Sequence, residues 1–262
     1  MDAVVCAKIT VDTAELRADP DTGAPRLDGA PRRIGTIDEN ALEEAVRLRE
    51  AHGGSVTLLV LGGEVPEELL LRALAMGADR AVVVRDGTAD RADALATATV
   101  LAAALRRLAP WDLVLCGEGS LDQYSRQVGP RLGEELGLPV LVQAAAVRLA
   151  GGTVTAERVL EDRTEGVEAA LPALVTVRQE INQPRLPTVL QILGASRKPR
   201  TEWTLEGLGF PPGATAAALS GVETLETAAP PGARRRLRIE GETAGAMADE
   251  AARLLFAEGV LS

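Results

Sequence analysis

Over the first two-thirds of the chain, short unbroken apolar runs alternate with longer stretches whose apolar residues recur at helical spacing. Ala3–Ala7 is such a run, as expected of a strand buried on both faces. Residues 8–35 are rich in Asp, Pro, Gly and Arg and read as a long irregular excursion. Asp38–His52 reads as a helix with Leu42, Ala45, Val46 and Leu48 on one side, and Thr36-x-x-Glu39 supplies a capping box at its start. Ser55–Leu61 is the next strand. Pro66 opens a helix that runs through Met76 and stops at Gly77. Ala81–Val84 is a short strand. Residues 90–109 form a long helix, with Ala94, Ala98, Leu101, Leu105 and Leu108 on one face and Pro110 ending it. Leu113–Cys116 is a buried strand, after which a loop from Gly117 to Tyr124 leads into a helix ending near Leu136.

Strands joined by helices imply a doubly wound α/β fold, a mostly parallel sheet covered on both faces with right-handed crossovers. Ligands of such sheets sit beyond the carboxyl ends of the strands. Here those ends are Cys6-Ala7-Lys8, Leu61-Gly62-Gly63 and Cys116-Gly117-Glu118, each carrying small or glycine residues that let backbone approach a ligand.

The pattern changes after residue 140. Val147-Arg148-Leu149 and Val154-Thr155-Ala156 flank Gly151-Gly152 and predict a β-hairpin. Glu157–Glu161 and Val167–Leu171 predict a second pair, turned at Thr164-Glu165-Gly166, and Pro172–Val177 a strand returning to the core. Asn182–Pro187 is irregular. Residues 199–242 carry abundant Gly, Pro and Ala with little periodicity and read as an extended arm. Thr243–Glu258 is a final helix with Met247, Ala251, Leu254 and Leu255 on one face. Two placements are open to that helix, against a partner chain or back on its own domain. The division expected is a nucleotide-binding domain over 1–198 and an arm with its helix over 199–262.

Composition narrows the chemistry. Of 262 residues, 46% are hydrophobic but only 2% aromatic, so Leu, Val and Ala must build the core. No apolar run of about 18 residues exists, so no transmembrane segment is expected. Met1-Asp2-Ala3-Val4-Val5 reads as the start of a strand and not as a signal peptide. A net charge of −10 disfavours nucleic acid as a partner. The dense basic patch, Arg234-Arg235-Arg236 with Arg238, is read either as a solvated linker or as a docking element for an acidic surface. Cys6 and Cys116 are expected to be buried small apolar residues, not a disulfide, which fits a cytoplasmic location. One histidine, His52, in the last turn of a helix, leaves no material for a zinc site or a His-based triad.

Several phrases in order resemble the electron-transfer flavoprotein beta subunit family. They begin with Val4-Val5-Cys6-Ala7-Lys8 followed by Asp12-Thr13-Ala14-Glu15, then Asp38-Glu39-Asn40-Ala41-Leu42-Glu43-Glu44-Ala45. Ala73-Leu74-Ala75-Met76-Gly77-Ala78-Asp79-Arg80-Ala81, Asp93-Ala94-Leu95-Ala96-Thr97-Ala98, Asp112-Leu113-Val114-Leu115-Cys116-Gly117 and Gln127-Val128-Gly129-Pro130 follow. The family's signature region is matched by Val159-Leu160-Glu161, by Leu171–Val177, and by Ile181-Asn182-Gln183-Pro184-Arg185. The match covers roughly residues 1–200; beyond that only the layout agrees.

The resemblance implies an adenine nucleotide alpha hydrolase-like sheet and an electron carrier without turnover of its own. Its partner would be an alpha subunit carrying the redox FAD at the shared interface, with AMP or a second FAD held by this subunit. Electrons would come from a flavin dehydrogenase, such as an acyl-CoA dehydrogenase, and go to a quinone oxidoreductase or ferredoxin. The nucleotide site would be lined by Cys6, Ala7, Lys8, Gly35, Thr36, Asp38, Leu61, Thr97, Gly117, Asp122, Gln123, Tyr124, Ser125, Arg126 and Gln127, with Thr13 near the partner's flavin ring. The loop 187–198 would recognise the dehydrogenase, with Val189 as its apolar anchor beside Leu190; a buried helical stripe of Val189, Leu190, Ile192 and Leu193 is the competing reading. The chain departs from the family at Gly35-Thr36-Ile37-Asp38 and in Asp122-Gln123-Tyr124-Ser125-Arg126-Gln127. There Arg126 could meet a phosphate directly, and Tyr124 could stack on a base or block a longer ligand. A stand-alone adenine-nucleotide-binding stress-type module is the alternative, though its glycine-rich phosphate motif is not found.

Overall fold

The computed structural model describes residues 1–228 and 237–261. The triple arginine at 234–236 lies outside them. Strands β1 (Asp2–Ala7), β6 (Ser55–Gly62), β7 (Arg80–Arg85), β8 (Leu113–Gly117), β9 (Val140–Ala150), β10 (Thr153–Val159), β11 (Thr164–Ala170), β12 (Ala173–Val177) and β13 (Arg200–Thr204) form one sheet. Their order is β11-β10-β9-β12-β8-β1-β6-β7-β13. Every pairing from β9 to β13 is parallel, and only β10 and β11 run antiparallel at one edge.

Successive residues of a strand point to opposite faces, and the two halves of the core follow that rule. On β1, Ala3, Val5 and Ala7 pack with Leu42 and Val46 of helix α1 (Thr36–His52) and Leu70 and Leu74 of α2 (Glu67–Met76). Val4 and Cys6 face the other way, into a layer with Leu101 and Leu105 of α3 (Ala94–Leu108) and Leu132 of α4 (Val128–Leu136). Strands buried on both faces must be apolar throughout, which is why they appear as unbroken runs in the sequence.

The doubly wound sheet is as expected from the sequence, but four local readings change. Residues 8–35 are not wholly irregular: β2 (Ile9–Val11) pairs with β5 (Arg32–Ile34), and β3 (Arg17–Ala18) with β4 (Pro25–Arg26). The two hairpins after residue 140 are one three-stranded meander sharing β10, and the second turn lies over 160–163, closed by Leu160 N–H donating to Arg163 O at 2.8 Å. The helix expected from residue 90 starts at Ala94, because Asp93 caps it through Ala96 N–H at 2.8 Å. The extended arm begins later than residue 199, since Arg200–Thr204 joins the sheet parallel to β7.

Two elements outside this core keep apolar surface in water. Helix α5 (Val189–Ala195) carries a capping box, Thr188 with Gln191. It leaves Val189 72% and Leu190 80% exposed, so the reading of a buried stripe does not hold. The last helix, α6 (Ala244–Ala257), has no buried residue, and Leu255 and Phe256 are exposed. Among the described residues no helix is long and apolar enough to cross a membrane.

Leu115 sits fully buried at the centre of the sheet, between β1 and β12. Leu115→Ala should lower the unfolding free energy by about 2–5 kcal/mol through the cavity it opens, measured by chemical denaturation.

Candidate functional site

Strand order reverses at β1: β6 and β7 lie on one side of it, β8 and β12 on the other. The carboxyl ends of β1 and β8 therefore splay around a crevice, with Cys6 and Cys116 as register neighbours at its floor. A cleft open to solvent, enclosing about 820 Å³ of atom-free space when the solvent at its mouth is included, occupies this position. Cys6, Ala7, Lys8, Asp38, Leu61, Thr97, Gly117, Gln123, Ser125, Arg126 and Gln127, all named above as candidate nucleotide-site residues, line it.

Asp38, in the first turn of α1, organises the crevice. Its carboxylate accepts Lys8 N–H at 2.9 Å and Gly117 N–H at 3.1 Å, joining the tops of β1 and β8. There is room for it because two neighbours lack a Cβ: a methyl at Gly35 or at Gly117 would stand 2.7 Å from one of its oxygens. Burial drives the Asp38 pKa up to about 6, against the opposing pull of the two N–H donors. Burial likewise raises Cys116 to about 12 and Cys6 well above the usual thiol range, so both stay protonated and behave as wall.

The polar rim is internally paired. Lys8 Nζ lies 2.5 Å from Asp122 Oδ2, and this ammonium outweighs burial to hold the Asp122 pKa low. Tyr124 and Arg126 both take positive φ, 47° and 57°, unusual for residues with a Cβ. The Arg126 guanidinium lies 4.6 Å from the centroid of the Tyr124 ring, and Tyr124 Oη donates to Glu118 Oε1 at 2.6 Å.

Not every expected residue reaches the cleft. Gly35 and Thr36 stand behind Asp38 and do not line it, and Asp122 and Tyr124 act on it through Lys8 and Glu118. Thr13 lies exposed outside the cleft, on the excursion after β2. The capping box at Thr36 does not form: Gly35 is the N-cap, and the Glu39 carboxylate turns to Arg72 Nε at 3.0 Å. Helix α4 starts at Val128, so Ser125–Gln127 precede its first turn. Gly119, Ser120, Asp90 and Asp93 also line the cleft without having been singled out from the sequence, and Glu118 had been named only as part of a strand end. Gly119 follows that same strand end, which is the signal that could have found it.

Asp93 has a second task. Besides capping α3, its Oδ2 accepts Gly221 and Val222 N–H at 2.8 and 3.0 Å, which fixes the root of the C-terminal segment to the cleft wall. On the opposite face, Arg185 holds buried Glu43 through Nε at 2.9 Å and Glu50 through Nη1 at 2.6 Å, while Asn182 and Asn40 exchange side-chain hydrogen bonds. These bonds tether the segment leading to α5 onto α1. No cluster of three or more metal-ligating side chains occurs among the described residues.

The family profile described as the electron transfer flavoprotein domain matches residues 28–208. The electron transfer flavoprotein subunit beta of Clostridium acetobutylicum is 39% identical over 208 residues, 79% of this chain and 80% of that one. The subunit of the same name from Bacillus subtilis is 38% identical over 209 residues, with the same shares. Subunit CarD of the caffeyl-CoA reductase-Etf complex of Acetobacterium woodii is 33% identical over 249 residues, 95% of each chain.

The raised pKa of Asp38 has a definite sign in stability. Between about pH 4 and 6 the folded chain holds the proton that the unfolded chain has lost. The contribution is therefore complete below the unfolded pKa and disappears as pH rises through about 6. Asp38→Asn cannot titrate, so from about pH 4 to about pH 7 the wild type should lose about 2–3 kcal/mol more unfolding free energy than the variant. Denaturant titrations at the two pH values read that difference directly; parallel slopes would remove Asp38 as its source.

Proposed function

The chain belongs to the electron-transfer flavoprotein beta subunit family, and on that premise we propose that it is one half of a two-subunit electron carrier that holds an adenine nucleotide of its own. The observation that carries the proposal is the cleft at the β1/β8 reversal. Leu61, Leu101, Ala94 and Cys6 give it apolar wall suited to a purine, and Lys8, Arg126 and Ser125 give it a polar rim suited to a phosphate. The residues present thus fit an adenylate, whether AMP or the AMP half of a second FAD.

The redox chemistry in this reading is supplied by flavin, chiefly the FAD shared with the alpha subunit. What this chain's own residues do is bind and position. Asp38 keeps the two strand tops at fixed spacing beneath the nucleotide. Asp93 fixes the root of the segment that leads to α6, and the exposed apolar residues of α6 are the surface offered to the alpha subunit. Thr13, exposed on the excursion after β2, would stand toward the partner's flavin. Val189 and Leu190 on α5 would seat in a pocket of the donor dehydrogenase. A relative named as part of a reductase complex supports a partner of that class, and ferredoxin or a quinone oxidoreductase would receive the electrons.

Co-expression with an alpha subunit of the same family and chemical analysis of the purified complex test the core of this reading. A yellow heterodimer with one flavin and one AMP is expected of a simple carrier, and two flavins of a bifurcating one. A colourless, stable homodimer would sink it in favour of a stand-alone nucleotide-binding module. Within a yellow complex, Val189→Ala with Leu190→Ala should slow electron transfer from the dehydrogenase about tenfold or more while flavin content stays constant. An unchanged rate would take the docking role away from α5.

A further inference from the structure

Glu118 follows β8 at the rim of the cleft, with its side chain only 7% exposed. Its backbone N–H donates to Val177 O at 2.9 Å, which fixes where the side chain starts. Tyr124 Oη donates to Oε1 at 2.6 Å and itself accepts Arg126 Nη2 at 3.1 Å. The Tyr124 ring lies so close over Gly119 that a Cβ there would meet Cδ2 at 2.7 Å. One carboxylate oxygen is thus held firmly. The other, Oε2, is buried and accepts no hydrogen bond; the nearest cation, Arg126 Nε, stands 3.9 Å away, beyond hydrogen-bond range.

A buried carboxylate oxygen without a donor is costly, and the residue lines the cleft. A carboxylate only accepts, so its complement is a neutral O–H or N–H of a ligand and never a phosphate oxygen. Its place beside Arg126 narrows the choice. If Arg126 meets the phosphate, the group covalently next to that phosphate is the sugar, and the base lies further along, toward Leu61 and Leu101. Acidic side chains read ribose hydroxyls in other doubly wound nucleotide sites by the same chemistry.

We propose that Glu118 reads the ribose: its free Oε2 accepts a sugar hydroxyl, so the cleft takes a ribonucleotide in preference to its deoxy counterpart. The proposal rests on the nucleotide reading of the cleft and assigns the group that reads the sugar.

The test is calorimetric titration of the purified heterodimer, freed of nucleotide, with AMP, 2′,3′-dideoxy-AMP and IMP. Wild type should bind AMP roughly tenfold or more tighter than the dideoxy compound, the loss expected for a hydrogen bond to a charged acceptor. In Glu118→Ala that ratio should fall to within about twofold of one, through weaker AMP binding. Where the alanine form does not fold, Glu118→Met, near in size and without a strong hydrogen-bond acceptor, is read for the same fall. Equal affinity of wild type for AMP and the dideoxy compound overturns the proposal while leaving the nucleotide reading in place. A preference that survives in the variant overturns it also. A penalty confined to IMP and erased by Glu118→Ala would assign Glu118 to the base amine instead. Absence of any AMP or FAD binding by wild type would remove the nucleotide reading itself, and this proposal with it.

Discussion

Two backbone amides, those of Lys8 and Gly117, stand at the carboxyl ends of neighbouring strands where the winding of the sheet reverses, and one side chain satisfies both. Past such a reversal the strands diverge and their last N–H groups lose ladder partners; buried without acceptors, they would each cost about 1–3 kcal/mol. Asp38 supplies both acceptors from the first turn of α1. The cost is a carboxylate in an apolar setting, visible in its pKa of about 6. Gly35 and Gly117 are bound into the same constraint, since a side chain at either would displace the carboxylate. Much of the cleft geometry follows: the spacing of the strand tops, the position of Lys8 and the entry angle of α1 all meet at this one group.

The rim above it is electrostatically self-consistent, which bears on how a ligand would enter. Lys8 is paired with Asp122, and Arg126 rests on Tyr124 beside Glu118. An incoming phosphate therefore competes with carboxylates already in place for both cations. Its net gain is the difference between two charge-assisted arrangements, not the full strength of one. Positive φ at Tyr124 and Arg126 shows that the loop holds this arrangement against local backbone preference. Strain of that kind is carried where side chains must be aimed.

What could be read from the sequence follows from how the information is coded. Strands buried on both faces announce themselves as apolar runs, so β1, β6, β8 and β12 were legible, as were the amphipathic faces of α1 and α3. The strand tops were legible through small residues at Cys6-Ala7-Lys8 and Cys116-Gly117. What escaped was coded non-locally. The capping box at Thr36 was formally correct, yet Glu39 found Arg72 on another helix. β13 escaped because Arg200–Thr204 is a charged edge strand whose partner β7 lies more than a hundred residues earlier. Glu118 looked like one more loop acid; only the tertiary position of Tyr124 leaves one of its oxygens held and the other bare.

The distribution of polar bonds separates a fixed scaffold from the surfaces it presents. Asn40, Asn182, Glu43, Glu50 and Arg185 fasten the segment before α5 to α1, and Arg185 outweighs burial to hold Glu43 ionised. Asp93 fastens the segment after residue 219 to α3. The first network ends where an exposed apolar face begins, at Val189 and Leu190, whereas Leu255 and Phe256 of α6 lie exposed well beyond the Asp93 bonds. If the chain positions electron-carrying groups, as proposed above, such placement matters more to it than acid–base residues. A tethered root limits the entropy lost when the α5 face docks, so a partner's binding energy would go to placement and not to ordering the chain. The hydrogen bonds at the strand tops fit that proposal, in which geometry carries the function.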